Sequence, residues 1–296
     1  MKRLLFLLLL VSQIAYGQKV TTYGGKAVTY GGKVVTYAAY CPEYQAVYDA
    51  YTTKPSDAVA AIDNTMVVGL VSDGVWAKLG VVWVYASHTN GAGEALINWK
   101  LPGTFDATAY NAPTFTAYEG FLGNETTQYI DCNWNPSVSG VNYTQNSASM
   151  IMYVRTNIGG NGTQLHGTYG NVDNKNCLII PKVTGNLAYI VTNENTPISG
   201  TNADGSGMFV NTRTAVAVNK LYRNKTAIIN GTTASTGVPT HKPYCLAYND
   251  DDVAKGFRAD QVSLYAFGSG LTQTDVNNIT DRFETRMDAL SSGIIP

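Results

Sequence analysis

The order of apolar and polar positions divides the chain into a short helical stretch, a long run of strands and a closing helix. Between Cys41 and Leu79 the apolar residues fall at helical spacing. Pro42 suits a first helical position, and Tyr44, Val47, Tyr48 and Tyr51 follow at that spacing. Lys54-Pro55-Ser56 breaks this helix, and Ser56 is placed to cap a second, with Val59, Ile62, Met66, Val67 and Leu70 as its apolar face. Asp73-Gly74 punctuates, and Val75 to Leu79 reads as a short helical turn carrying Trp76. From Gly80 the period changes to short β-branched and aromatic runs split by Gly, Asn and Pro. Predicted strands are 81–85, 95–99, 114–118, 128–131, 148–155, 164–169, 177–180, 187–192, 214–218, 220–223, 244–248 and 261–267. Near the end, Thr272 and Asp275 have capping-box spacing, and Val276, Ile279, Phe283, Met287 and Leu290 form one stripe. The expectation is a mainly β protein. A helical collar (41–80) precedes a jelly-roll β-sandwich (81–296) that a C-terminal helix closes along one edge.

The N-terminal region has a different character. Met1-Lys2-Arg3 is basic, Leu4 to Val11 is an unbroken apolar run, and Ala15-Tyr16-Gly17 has a small-x-small pattern. Residues 1–17 therefore read as a signal-like leader, cleaved to leave Gln18. The run is short of the roughly 20 residues that a membrane span needs. Residues 18–40 repeat a Val-Thr-Tyr motif, with Gly-Gly-Lys after the first two copies and Tyr23, Tyr30 and Tyr37 in equivalent places. Paired glycines oppose helix by about 1 kcal/mol each. Val-Thr-Tyr favours strand, and Gly-Gly a tight hairpin. Two or three such strands are unstable alone, so this arm is expected to lie on another surface. It reads equally as a docking or oligomerisation arm and as a tether.

Composition narrows the function classes. The chain of 296 residues has 14% charged residues, 29 Gly and 20 Tyr, which suits short strands and many loops. A formal net charge of -1 with no basic cluster argues against a nucleic-acid partner. Cys41, Cys132, Cys177 and Cys245 lie far apart and lack metal-finger spacing. They read as small buried hydrophobes, with one or two disulfides as the alternative if the chain is exported.

The sequence offers little for catalysis. No Glu-x-Asp pair occurs that would set two carboxyl groups on one strand face for glycoside hydrolysis. No Gly-x-Ser-x-Gly elbow and no His-x-x-x-His pair is present. His88, His166 and His241 are isolated, with His88 and His241 expected in loops. Two stretches have the oxygen donors of a calcium site, the one cofactor the sequence suggests: Asn202 with Asp204, and Asp250-Asp251-Asp252. The bland reading of both is a solvated turn. Sugar binding needs an exposed aromatic face with planar polar neighbours. Trp134, Asn142 and Tyr143 are the candidate rim, against the plainer reading that Trp134 plugs one end of the sandwich.

Several stretches carry a resemblance. Asn98-Trp99-Lys100 precedes Ala112-Pro113-Thr114-Phe115, then Glu119-Gly120-Phe121 and Thr127-Gln128-Tyr129-Ile130-Asp131. Asn133-x-Asn135-Pro136 leads into Gly140 through Asn146. Later come Leu221-Tyr222-Arg223-Asn224 and Gly268-Ser269-Gly270-Leu271-Thr272. Over roughly 41–290 the chain resembles the laminin-G-like, concanavalin-A-like sandwich modules of tailed-phage and prophage structural proteins, and its leader resembles those of exported Bacteroidota proteins. The resemblance implies a virion-surface subunit without catalytic residues: a fibre, decoration or tail-associated protein. It further implies contacts with other virion proteins and host glycans, and a homo-oligomer. The leader departs from that pattern, because virion proteins rarely need export. It points instead either to an apolar anchor threaded into the particle or to a secreted or cell-surface lectin-like adhesion protein.

Overall fold

A computed structural model describes residues 28–30, 33–35, 40–170 and 172–296. The leader, Tyr23 and Tyr37 lie outside these residues. In the arm, β1 (Val28–Tyr30) and β2 (Lys33–Val35) pair antiparallel with Tyr30 opposite Lys33.

Two sheets make the body of the molecule, and apart from one short parallel contact their ladders are antiparallel. The eight-stranded sheet runs in the order β15 (Thr226–Gly231), β14 (Val218–Arg223), β13 (Gly207–Ala215), β8 (Ala148–Val154), β19 (Gln261–Gly268), β6 (Gly120–Leu122), β5 (Thr114–Thr116). A further strand, β3 (Leu79–Val84), also pairs with β19. The nine-stranded sheet runs β12 (Ile198–Thr201), β11 (Leu187–Glu194), β10 (Asn176–Val183), β9 (His166–Thr168), β16 (Tyr244–Cys245), β7 (Tyr129–Asp131), β4 (Thr108–Tyr110). There β17 (Tyr248–Asp250) lies parallel to β9 and carries β18 (Val253–Lys255). The chain is thus a mainly β sandwich with N-terminal helices and a C-terminal helix, as the hydrophobic pattern implies.

The helices explain why β8 reads as one apolar run. Met150, Met152 and Val154 face the second sheet, whereas Ile151 and Tyr153 face helices on the outer side. A strand buried on both faces loses the alternation of a half-exposed one. The covering helices are α1 (Pro42–Ala50), α2 (Asp57–Ser72) and, after the short α3 (Pro136–Ser139), α4 (Gln273–Ala289). The Ser56 side chain caps α2, and Thr272 with Asp275 closes a reciprocal capping box on α4. Four ion pairs fasten this layer: Arg286 to Asp63 (2.7 Å), Arg282 to Asp73 (2.9 Å), Lys78 to Asp275 (2.6 Å) and Lys225 to Asp281. The buried face of α2 is Ala60, Asp63, Met66, Val67 and Leu70, so the expected stripe is rotated and Val59 and Ile62 fall at its margin. Asp63 is turned inward by its arginine, a polar partner that a hydrophobic pattern does not register.

Other local expectations fail for identifiable reasons. The stretch 95–99 is a 3-10 turn (Glu94–Leu96) entered through Gly93 at φ 90, with Asn98 bridging to Trp83. The Asn98 Oδ1 accepts the Val82 N–H at 3.0 Å, so a side chain replaces a strand ladder. The stretch 214–218 holds the end of β13, a two-residue turn at Val216-Ala217 and the first residue of β14, so it is a hairpin tip and not one strand. The stretch 244–248 is broken at Leu246, which has φ 67. Strand β13 itself was hidden because the glycines at its start read as a turn.

Candidate functional site

Trp134 and Tyr143 are core residues, which corrects the expectation that they rim a sugar site. Both sit between the sheets with Phe267, 0% and 3% exposed. The Trp134 indole N–H donates to the Ser139 carbonyl at 2.8 Å, and its ring lies 5.1 Å from Phe267 and 5.6 Å from Tyr143. With both ring faces packed, no pyranose can stack there. Asn142 stays at the surface in a left-handed conformation (φ 60), and its amide donates to the Ala77 carbonyl at 2.7 Å. It ties the loop to the collar.

The two calcium candidates are likewise engaged internally. Asn202 is 5% exposed and its amide donates to the Pro181 and Asp204 carbonyls. Burial would raise the Asp204 carboxyl, but the Ser206 N–H and hydroxyl, with Arg223 beside them, outweigh it and keep the group below the ordinary range. Asp250 pairs with Lys255, and both Asp251 and Asp252 face His241. Each carboxylate thus has a cationic or ionisable partner. Among the described residues no group of three His, Cys, Asp or Glu side chains is placed to hold a metal ion, and no helix is long and apolar enough to cross a membrane. The four cysteines are thiols. Burial pushes Cys177 up to about 12 and also holds Cys132 and Cys245 well above the ordinary thiol value.

One constellation has the shape of a nucleophile site, and sequence inspection missed it because its members lie far apart. Cys245 Sγ lies 3.8 Å from His166 Nδ1, and His166 Nε2 lies 2.9 Å from Asp260. Arg258 also donates to Asp260. His166, Cys245 and Asp260 are at most 1% exposed, so no substrate reaches the sulfur. The Nδ1 lone pair is already used by the Leu246 N–H at 3.0 Å, and a thiol pushed so high yields almost no thiolate. This arrangement braces β9 against the loop leading into β19. The remaining buried carboxylates are also committed. Glu194 pairs with Arg213, Glu94 takes the N–H groups of Thr53 and Ala92, and Glu284 takes the Tyr153 hydroxyl and the N–H groups of Ile294 and Ile295.

The open chemistry lies on the outer face of the nine-stranded sheet. Alternation along β7, β16 and β4 sends Ile130, Cys245 and Ala109 inward and Tyr129, Tyr244 and Tyr110 outward. Tyr110 and Tyr129 stack 4.7 Å apart with planes 3° from parallel, and Tyr244 follows at 4.9 Å. Phe257 flanks Tyr129 at 6.3 Å. Farther across the sheet, Tyr169, Tyr189 and Tyr248 lie half-buried over Leu165, Leu178, Ile180, Val183 and Val191. One pleat from Tyr110 and Tyr129 lies the row Thr108, Asp131, Tyr244. Thr108 sits opposite Asp131, whose carboxylate holds Lys242 at 2.7 Å. Only the surplus of tyrosine hinted at this face in the sequence.

No family model matches the chain, and no curated protein sequence is significantly similar to it. Solved structures with related folds include the Botulinum neurotoxin serotype D binding domain (10% identity, TM-score 0.49, covering 72% of this chain and 52% of that one). A sialidase of Trypanosoma rangeli in complex with sialic acid matches at 10% identity and TM-score 0.48, covering 76% and 39%. Domain 4 of AbnA, an extracellular arabinanase from Geobacillus stearothermophilus, in complex with arabinotriose, matches at 14% identity and TM-score 0.42, covering 69% and 98%. This chain spans about half or less of the toxin and sialidase chains. At such identities and scores these similarities carry nothing about function.

Proposed function

We propose that this chain is a non-enzymatic virion structural protein that holds a lectin-like sandwich outward for contact with the host surface and its glycans. The observation that supports this reading is the unlike treatment of the sandwich's two outer faces. Helices α1, α2 and α4 cover the eight-stranded sheet, whereas no described helix covers the nine-stranded one, which carries six tyrosines. The chain before Tyr40 joins on the helical side. The Cys41 N–H donates to Asn64 on α2 at 2.8 Å, and Tyr40 packs on Tyr44 and Tyr48. An arm that docks through Tyr23, Tyr30 and Tyr37 to other virion proteins, or to further copies of this chain, would turn the helices inward and the tyrosines outward.

The basic-apolar leader favours a second reading, an exported lectin-like adhesion protein, secreted or at the cell surface. Peptide mapping of purified particles separates the two. The virion reading expects the chain in the particle with Met1 retained. Its absence there, with a Gln18 terminus in the envelope or medium, would overturn that reading in favour of export.

A further inference from the structure

We infer that Tyr110 is the stacking plate of a binding site for uncharged hexopyranose glycans. This rests on the reading of the sandwich as a glycan-contacting module and specifies where, and for which sugars. Strand β4 is outermost in its sheet, pairing only with β7. Tyr129 covers one face of the Tyr110 ring, and Tyr110 remains 41% exposed. The uncovered surface is therefore the opposite ring face, looking past the sheet edge, together with the hydroxyl. An aromatic face held by a parallel neighbour is a rigid platform, and the C–H side of a pyranose packs on such a face at little entropic cost. The stack Tyr110–Tyr129–Tyr244 fixes its angle.

The hydroxyls of a stacked sugar need partners at one side, and the second row supplies them. Thr108 is exposed and accepts from the Asn133 amide at 2.8 Å, which leaves its own proton to donate. Lys242 lies beside it as a second donor, held in place by the buried Asp131. The charge balance sets the class of sugar. Lys242 already serves Asp131 at 2.7 Å, the Asn249 amide reaches both the Lys242 carbonyl (2.9 Å) and Asp252 (3.5 Å), and His241 faces Asp251 (3.3 Å) and Asp252 (3.5 Å). Three carboxylates, Asp131, Asp251 and Asp252, against one ammonium and one imidazole leave the region net negative, which repels a sialate or uronate and leaves a neutral ring unpenalised.

The test is an array of neutral hexose oligosaccharides, each beside its sialylated counterpart, probed with the full chain and with Tyr110→Ala and Asp252→Lys. The neutral members should bind, and sialylation should weaken binding about tenfold at low salt, less as salt rises. Tyr110→Ala should lose about tenfold on neutral sugars with an unchanged circular dichroism spectrum, and Asp252→Lys should narrow the sialylation penalty. Equal or tighter binding of sialylated members would overturn the charge argument. Neutral binding that survives Tyr110→Ala would overturn this site while leaving the glycan reading intact. A wild-type chain that binds deglycosylated surface protein and no sugar would sink both.

Discussion

Arg286 on the last helix reaches Asp63 on the second, Nε to Oδ1 at 2.7 Å, with both side chains at most 2% exposed. The pair joins the start of the fold to its end. Arg286 also donates to the Ala86 carbonyl at 2.9 Å, and the Tyr44 hydroxyl donates to Asp63 at 3.3 Å. Removing one member strands a buried charge, which costs about 3–5 kcal/mol. Asp63→Ala should therefore lower stability by that amount in urea denaturation. The double change Asp63→Leu with Arg286→Met should cost clearly less, because no charge is left unpaired.

The buried histidine makes stability pH-dependent. Burial pushes the His166 imidazole down, against the pull of Asp260, and Nδ1 is occupied by the Leu246 N–H. The unfolded chain takes up a proton there below about pH 6.5, so the unfolded state binds more protons and stability falls from that point downward. Asp260 acts lower. Burial opposes its ionisation, but Arg258 and His166 outweigh it and hold the carboxyl at about 2. Its contribution is complete above the unfolded value of about 3.9 and is lost as pH falls toward 2. Urea midpoints should be flat from pH 8 to 7 and decline below about 6.5. In His166→Gln the decline between pH 7 and 5 should be shallower.

Trp134 separates packing from recognition. Trp134→Ala should destabilise by about 3–5 kcal/mol, as a large core truncation does. Wherever the variant stays folded, its ligand binding should match wild type within about twofold. Selective loss of binding at unchanged stability would restore Trp134 to the site.

Gly167 tests the close packing at the centre of the nine-stranded sheet. It sits on β9 at φ 120, and an added Cβ would lie 2.1 Å from the Cys177 carbonyl oxygen. Both the conformation and the space exclude a side chain. Gly167→Ala should lower the thermal midpoint by several degrees, measured by calorimetry.

The fold was legible wherever one physical rule acted alone. Pro42, Ser56 and the Thr272–Asp275 box marked helix starts because capping is local, and β8 and β19 stood out because burial on both faces makes an apolar run. The site was not legible. Trp134 attracted attention by residue type, yet whether an indole is core or rim depends on which sheet face it meets, a property of strands distant in sequence. Tyr110, Tyr129 and Tyr244 come together only when β4, β7 and β16 assemble. His166, Cys245 and Asp260 show the same limit, since no spacing rule connects them.

Hydrogen–deuterium exchange of the full chain, with and without a glycan extract from the target cell surface, tests the central claim most directly. The account predicts slowed exchange in β4, β7 and β16 on binding, with α2 and α4 unchanged. Protection confined to α2 and α4, with the tyrosine face unaffected, would contradict it.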